Sequence, residues 1–484
     1  MYRPAVIAIG VLLAGLAAAP LLQAQTARPN VVFIMTDDVG YGDIGSYGAR
    51  DVLTPNIDQL AREGTRFTDF YANAPVCTPT RAGFVTGRYQ QRVGLERALS
   101  GPARTNGVGL TANGRTLPQL LKNSGYTTGL VGKWHLGYEL DQSPSAHGFD
   151  YFFGFKSGYV DYYQHTNGGG ADDLWENERE IEVDGYLTDL FTERSVDFIR
   201  QNADRPFFLS VQFNAAHWPY QPPDMPSVAR GNATHLQPHT EDTSTRDDYV
   251  AMLERADRGI GEIVWALTDA GLSENTLVIF TTDHGIAFPR AKGTLYDPGI
   301  RTSLLMRWPD GLQGGRSIPA LVSNVDLFAT LVEIAGASLP SDCDGQSFLG
   351  LLRGEGTAVR TAIFAEKNTS PDDIKRCIRT TGHKYIRNYS EGPQLALPTD
   401  IECSASRRDM GDDHLSPRPP VELYDLIDDP WEQVNLAGRE AHATVEEELS
   451  TRLQRILEDT RDPVLGGSIP RPRGEAEIME RLWQ

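Results

Sequence analysis

The sequence predicts an α/β protein built on a large, mostly parallel sheet flanked by helices. Short apolar runs, typical of buried parallel strands, alternate with segments whose apolar residues recur at helical spacing. Acidic and basic residues follow directly after several of these runs, as expected at the carboxyl edge of a parallel sheet. Beyond residue 345 the helices give way to closely spaced short runs, which predicts a smaller antiparallel domain.

The elements of the large unit can be placed in chain order. Apolar runs predict strands at residues 31–36, 66–71, 127–131, 207–213, 277–281 and 302–308. Capping residues and apolar periodicity predict helices at 54–64, 78–87, 116–125, 187–202, 249–271 and 325–335. The helix from Thr78 is expected to have that residue as its N-cap and Pro79 at its first position.

The smaller unit is predicted from short strands at residues 362–366, 376–380, 384–389 and 422–426. A final amphipathic helix carries Val445, Leu449, Leu453 and Ile456 on one face. We therefore expect a large N-terminal domain at 28–345, which would carry any functional site at its sheet edge, and a smaller α+β domain at 346–484, preceded by a leader at 1–24.

The leader is predicted from an apolar run between Ala5 and Leu22 that follows Arg3 and ends in small residues. A signal peptide cleaved near Ala24 or Ala27 is expected, and an uncleaved membrane anchor is the alternative. Pro20 favours cleavage. The mature protein is then expected to be exported, periplasmic or secreted, with no membrane contact.

The formal net charge of −20 argues against nucleic acid and anionic membranes as partners. An anionic substrate would have to be held by a local basic pocket. A dinucleotide-binding pattern, Gly40-x-Gly42-x-x-Gly45, is rejected because Asp37 and Asp38 precede it and no helical periodicity follows it.

A functional site is predicted where the parallel strands end, because their carboxyl ends share one edge of the sheet. Three of the acids found there suit an oxygen-loving cation such as Ca²⁺ or Mg²⁺. The residues that follow the apolar runs are Asp37, Asp38, Lys133, His135, His217, Asp283 and His284.

The run Cys77-Thr78-Pro79-Thr80-Arg81 opens a predicted helix, whose N-terminus favours an anion. This pentapeptide resembles the signature of type I sulfatases, in which the cysteine is oxidised to formylglycine. The resemblance extends from about Arg28 to about Ala437 and includes the lysine segment that begins at Lys292. Residues 148–154, 159–165 and 172–177 are similar to the arylsulfatase A and N-acetylgalactosamine-6-sulfatase branch.

The resemblance implies an alkaline-phosphatase-like fold and hydrolysis of sulfate esters, with roles for named residues. Asp37, Asp38, Asp283, His284 and the formylglycine at Cys77 would bind the metal, Ca²⁺ in preference to Mg²⁺. His284 departs from the asparagine that many relatives carry there. Arg81 would stabilise the formylglycine hydrate, and Lys133 and Lys292 would neutralise sulfate oxygens. His217, or Lys292, would protonate the leaving oxygen, and His135 would accept a proton.

The implied substrate is an aryl sulfate or a sulfated carbohydrate, from glycosaminoglycans or algal polysaccharides. Sugar contacts are expected from Tyr162, His165 and Asp172. A formylglycine-generating or sulfatase-maturing enzyme is an expected partner. With Cys77 modified, at most one disulfide can form, and Cys377 with Cys403 is the expected pair. The alternatives are a phosphonate or phosphodiester hydrolase of the same superfamily and an inactive sugar-binding relative with an unmodified cysteine.

Overall fold

A computed structural model describes residues 28–99, 107–225, 244–369, 373–408 and 410–467. The predicted signal peptide and the tail beyond Gly467 lie outside these residues. No helix in the described ranges is both long and apolar enough to cross a membrane.

The large sheet has eleven strands, and five parallel neighbours form its centre. The strands are β1 (Asn30–Thr36), β2 (Thr65–Tyr71), β3 (Thr127–Lys133), β4 (Tyr151–Phe155), β5 (Trp175–Glu176), β6 (Arg179–Glu180), β7 (Phe207–Gln212), β8 (Thr276–Thr282), β9 (Arg301–Arg307), β10 (Arg316–Ile318) and β11 (Val322–Ser323). Their order is β10-β2-β9-β8-β1-β7-β3-β4-β5-β6, and β11 pairs with β2. The central neighbours β8, β1, β7, β3 and β4 therefore end at one edge.

Helices cover both faces of this sheet. They are α1 (Pro55–Glu63), α2 (Cys77–Thr86), α3 (Leu117–Asn123), α4 (Leu187–Gln201), α5 (Arg246–Asp269), α6 (Asp297–Ile300), α7 (Asn324–Ile334) and α8 (Leu349–Arg353). Alternate residues of β1 point to opposite faces, so Phe33 packs with α2, α3 and α7 while Ile34 packs with α1, α4 and α5. All seven residues of β1 are buried, as its continuous apolar run predicts.

A second, four-stranded antiparallel sheet follows, in the order β12 (Ile363–Asn368), β13 (Ile374–Arg379), β14 (His383–Asn388) and β15 (Val421–Asp425). Between β14 and β15 lie two short helices, α9 (Thr399–Glu402) and α10 (Ala405–Arg408), and α11 (Ala443–Thr460) packs on one face. The predicted fold class is confirmed. The expected division after residue 345 stays a prediction, and α8 packs with the core of the large sheet.

The structure decides the expected disulfide and shows the local fold of the rejected dinucleotide-binding pattern. Cys377 is buried in the core beneath β13, among residues such as Ile363 and Ile386, and forms no disulfide. The expected Cys377–Cys403 bridge is therefore wrong, since Cys403 lies half-buried at the C-terminal end of α9 and neither cysteine is in a disulfide. The rejected dinucleotide pattern forms two 3₁₀ turns, Tyr41–Asp43 and Gly45–Tyr47.

Candidate active site

Four strand ends meet above the centre of the large sheet. Asp37 and Asp38 follow β1, and the loop that carries His217 follows β7. Backbone hydrogen bonds join these exits, since the Asp37 N–H donates to the carbonyl of Ala215 at 3.0 Å and the Asp283 N–H to that of Thr36 at 3.2 Å. The parallel register therefore brings the predicted acids and bases to one place.

Helix α2 delivers Cys77 to this edge. The helix starts at Cys77 with Val76 as its N-cap, so the prediction that Thr78 is the N-cap is wrong. The Thr78 hydroxyl instead donates to the carbonyl of His135 at 3.0 Å and accepts from the Leu99 N–H at 3.1 Å. The first turn of α2 is thereby fixed to two neighbouring loops.

The thiol of Cys77 lies against residues that follow β1 and β8. Its Sγ is 3.5 Å from Asp37 Oδ1 and 3.3 Å from His284 Nε2. Burial opposes ionisation of the thiol, but Lys133 and His284 lower the pKa of Cys77 well below its ordinary value. The residue thus sits in a strongly polar, buried environment.

Two buried cations balance part of this negative charge. Lys133 Nζ is 2.5 Å from Asp37 Oδ2. Arg81 Nη2 is 3.2 Å from Asp283 Oδ2, and its Nη1 donates to Gln212 Oε1 at 2.8 Å. Burial would raise the pKa of Asp37, but Lys133 and Arg81 help to lower it to about 2. Both cations therefore lie beside the acids that follow β1 and β8.

The acidic cluster fits a divalent cation. Single ligand atoms of Asp37, Cys77, Asp283 and His284 all lie within 4.8 Å of one another. Asp38 is fully buried, and its Oδ1 has no hydrogen-bond partner among the described residues. Burial and the neighbouring Asp37 raise the pKa of Asp283 to about 8. Closely packed buried carboxylates, one of them with an oxygen that accepts no hydrogen bond, are stabilised by a bound cation with oxygen ligands.

A second group of residues surrounds Lys292, whose ammonium has three close partners. Its Nζ is 2.7 Å from Asp38 Oδ2, 2.6 Å from Asp400 Oδ2 and 3.2 Å from His217 Nε2. Burial alone would lower the pKa of Lys292, but Asp38 and Asp400 raise it well above its ordinary value. The side chain is therefore a firmly charged ammonium.

Both candidate proton carriers have one ring nitrogen engaged by a backbone carbonyl. His217 Nδ1 is hydrogen-bonded to the Trp218 carbonyl, which leaves Nε2 beside Lys292. His135 Nε2 is 2.8 Å from the Leu99 carbonyl. His135 has φ of 58° and Asp38 has φ of 59°, a left-handed conformation that is uncommon for residues with a side chain. The turns after β3 and β1 are thus shaped to aim these groups.

A cavity of about 700 Å³ opens from this cluster. Cys77, His135, His217 and Lys292 line it, together with residues of the smaller unit, among them Asp400. The ring of Tyr159 stacks on that of His217, with centroids 5.7 Å apart. Titratable side chains therefore line the inner end of the cavity, and part of its wall is aromatic.

The three expected sugar contacts do not line this cavity. Tyr162 is fully buried and its hydroxyl donates to the carbonyls of Asn214 and His217. His165 is buried and its Nε2 is 3.2 Å from the Gly185 carbonyl, while Asp172 is exposed. The first two side chains are thus occupied in holding the loop, while Asp172 is exposed next to the lining residue Ala171, and sugar contact by these three residues stays a prediction.

Sequence reasoning missed Tyr159, Trp218 and Asp400 as wall residues. Trp218 directly follows His217 in the sequence and Tyr159 begins the stretch 159–165 singled out above, so both had a usable signal. Asp400 lies in the connection between β14 and β15, far along the chain from the strand ends. Only the packing of the small sheet on the large one brings Asp400 to Lys292.

Two family models match the chain. The model described as Sulfatase matches residues 29–337, and the one described as N-sulphoglucosamine sulphohydrolase, C-terminal, matches residues 285–401. Human arylsulfatase A is 32% identical over 467 residues, covering 86% of this chain and 85% of its own. N-acetylgalactosamine-6-sulfatase of Canis lupus familiaris is 33% identical over 375 residues, covering 70% and 69%.

Solved structures share the whole architecture. Ps i-CgsB in complex with k-i-k-neocarrahexaose is 26% identical, with a TM-score of 0.75 over 94% of this chain and 97% of its own. BT4656 in complex with its substrate D-glucosamine-2-N,6-O-disulfate has a TM-score of 0.71 over 90% and 98%, at 24% identity. The similarity to BT4656 concerns the fold, the large mixed sheet and the small antiparallel one.

Proposed function

Because the chain belongs to the sulfatase family and is a sulfuric ester hydrolase, we propose that it removes sulfate from sugars by means of a formylglycine at position 77 and a bound Ca²⁺. The observation that carries this proposal is the position of Cys77. Its side chain lies among Asp37, Asp283 and His284 and faces the same cavity as His217 and Lys292. A nucleophile, a metal site and a proton carrier are thus adjacent.

In this structure the Cys77 sulfur stands in for the oxygens of hydrated formylglycine. The hydrate supplies one hydroxyl that attacks sulfur and a second whose proton loss releases the sulfate. The buried acids around Cys77, Asp37 and Asp283 among them, would hold the cation that favours ionisation of the attacking hydroxyl. The cation is proposed to be Ca²⁺ in preference to Mg²⁺, since Ca²⁺ accepts irregular carboxylate-rich coordination whereas Mg²⁺ demands near-octahedral geometry.

The basic residues have separate proposed tasks. Arg81 would stabilise the hydrate from the side of Asp283. Lys133 and Lys292 would neutralise the sulfate oxygens, whose charge grows as the ester bond breaks. Both ammonium groups are buried, so their charges act with little screening by water.

The two histidines would move protons at opposite ends of the reaction. His217 Nε2 is the proposed donor to the leaving oxygen, because its other nitrogen is engaged and Lys292 lies 3.2 Å away to hold the anion beside it. His135 would accept the proton of the second hydroxyl, since it lines the cavity beside Cys77. Burial lowers the pKa of His135, although Cys77 opposes this, which favours the neutral, accepting form.

The leaving group is proposed to be a sugar. The relative N-acetylgalactosamine-6-sulfatase acts on a sulfated sugar by its name, and the complex of Ps i-CgsB contains an oligosaccharide. In this chain Tyr159 and Trp218 present ring faces and edges at the cavity wall. Apolar sugar faces pack on such rings while their hydroxyls bond to polar groups.

Export is part of the proposal, because the predicted signal peptide would carry the chain to the periplasm or beyond. A formylglycine-generating or sulfatase-maturing enzyme would modify Cys77 on the way. N-terminal sequencing of the exported protein should start near residue 25 or residue 28.

A substrate panel tests the proposed activity. Protein co-expressed with a maturing enzyme should hydrolyse 4-nitrophenyl sulfate and monosulfated sugars, and the Cys77→Ala variant should lose turnover. An aryl phosphodiester cleaved faster than the aryl sulfate would instead favour the phosphodiester hydrolase. Absence of all turnover, with binding of sulfated sugars retained and Cys77 unmodified, would show the inactive relative.

A further inference from the structure

One acidic residue in the cavity has no task in the reaction described above. Asp400 lies on the short helix α9 and lines the cavity together with Tyr159 and Trp218. Its Oδ2 is 2.6 Å from Lys292 Nζ, and the side chain is 12% exposed. A carboxylate therefore stands beside the ammonium that is proposed to hold the sulfate.

The segment that carries Asp400 is firmly anchored. Three buried cations donate to its backbone carbonyls: Arg418 to Pro393 at 3.0 Å, Lys375 to Gln394 at 3.4 Å and Lys367 to Ala396 at 3.2 Å. All three also lie within 4 Å of Asp373. The approach of the segment to the cavity is thus set by a buried polar network.

The carboxylate of Asp400 retains capacity to accept hydrogen bonds. Its Oδ1 accepts from the Ile401 N–H at 3.1 Å, and its Oδ2 accepts from Lys292. Two carboxylate oxygens offer about four acceptor positions, so about half of them are used by these bonds. The remaining positions belong to a side chain that borders the cavity.

The position of Asp400 is unfavourable for a substrate that offers only its sulfate. Two negative groups held near one ammonium repel each other, and burial strengthens that repulsion. Burial would also raise the pKa of Asp400, but Lys292 and His217 hold it below its ordinary value, so the group is charged. A leaving group that carries a hydrogen-bond donor near its ester would offset this repulsion by donating to the Asp400 carboxylate.

We propose that Asp400 determines substrate specificity by accepting a hydrogen bond from a sugar hydroxyl close to the sulfate ester. This inference rests on the proposed sulfatase function and names the class of leaving group. Asp400 selects sulfated sugars with a free hydroxyl near the ester and disfavours aryl sulfates without one. The preference arises because a hydrogen bond to a charged acceptor is strong and a carboxylate left without it repels the sulfate.

The test compares Asp400→Asn with the unchanged enzyme on matched substrates. The probes are 4-nitrophenyl sulfate and the 6- and 4-sulfates of galactose and N-acetylgalactosamine. The best sugar is also used as the deoxy analogue that lacks the hydroxyl nearest the ester. We expect the unchanged enzyme to lose about tenfold to a hundredfold in kcat/KM on the deoxy sugar. In the variant this loss should shrink to about threefold, while kcat/KM for 4-nitrophenyl sulfate rises severalfold.

Glu402→Gln is the matched control, because it removes the same charge from the same short helix at an exposed side chain. It should leave the ratio between the two substrate classes unchanged. Asp400→Ser is the second variant, should Asp400→Asn fail to fold, and it should show the same loss of discrimination.

Several results would overturn the inference. Equal losses on aryl and sugar sulfates in Asp400→Asn would show that Asp400 only positions Lys292. An unchanged penalty for the deoxy sugar in the variant, or no penalty in the unchanged enzyme, would place the recognition elsewhere. Turnover of 4-nitrophenyl sulfate with no sugar sulfate hydrolysed would contradict this inference and the proposed sugar leaving group, but not sulfate ester hydrolysis. Absence of all sulfate ester hydrolysis by formylglycine-containing protein would instead contradict the proposed function and, with it, this role.

Discussion

Replacing His217 by asparagine should lower kcat, and the loss should be larger for sulfate esters with more basic leaving groups. The His217 ring is 6% exposed, its Nδ1 is held by the Trp218 carbonyl, and its Nε2 lies at the cavity floor beside Lys292. A general acid in such a position contributes about 10²–10⁴-fold to the rate. This factor corresponds to about 2.7–5.4 kcal/mol of transition-state stabilisation.

The full factor should appear only for sugar sulfates, because a sugar alkoxide is a far stronger base than nitrophenolate and needs the proton as the ester bond breaks. For 4-nitrophenyl sulfate we expect the loss in kcat to stay below about tenfold. A series of aryl sulfates with phenols of decreasing acidity should give intermediate losses. The measurement is kcat for each ester, on the unchanged enzyme and on His217→Asn, at saturating substrate.

His165→Asn is the control, since it removes another buried imidazole that lies outside the cavity wall. Any loss it causes should be the same for every ester. If His217→Asn lowers kcat by one factor across the whole series, the proton donor is a different group, and Lys292 becomes the candidate. If it changes no rate, the proposed role of His217 is refuted.

Three further perturbations follow from the contacts. Lys292→Met should destabilise the protein by about 3–5 kcal/mol, because it leaves Asp38 and Asp400 buried without their cation. Combining it with Asp400→Asn should recover part of this loss in denaturant unfolding, whereas strictly additive losses would contradict the coupling. Removal of bound metal with a chelator should lower the melting temperature, and Ca²⁺ at a hundred times its Kd should restore about 2.7 kcal/mol, more than Mg²⁺ at the same concentration. Equal recovery by both ions would refute the proposed preference. Arg376→Met should cost about 3–5 kcal/mol in the small unit, where its buried guanidinium is 2.7 Å and 2.9 Å from the oxygens of one carboxylate. The exposed Arg387→Met on the neighbouring strand should cost little, and a similar cost would refute the argument from burial.

The architecture of the large unit could be predicted because its signals are local. Strands β1 and β8 are short apolar runs, and each is followed by an acid that the sheet brings to the common edge, Asp37 and Asp283. Strand β4 (Tyr151–Phe155) escaped prediction. It lies within a stretch whose glycines and aromatic residues resembled a family loop. Parallel pairing with β3, rather than a pattern in its own sequence, makes this segment a strand.

The cavity wall could not be predicted in the same way, because it depends on contacts between distant segments. Asp400 reaches Lys292 only after the connection between β14 and β15 is anchored by buried cations from the small sheet. Tyr162 shows the opposite case. Its aromatic ring and hydroxyl favoured a sugar contact in the sequence, but the side chain is buried and the hydroxyl donates to the carbonyls of Asn214 and His217. A polar side chain in a loop does not reveal from sequence alone which of these outcomes it will have.

Mass spectrometry of the tryptic peptide that spans residues 67–81 tests the central claim most directly. Protein matured in cells that contain a formylglycine-generating enzyme should yield this peptide with the Cys77 thiol replaced by an aldehyde, which aldehyde-specific reagents then label. Such protein should hydrolyse sulfate esters in proportion to the labelled fraction. Full sulfatase activity from protein whose peptide carries only intact cysteine would contradict the account.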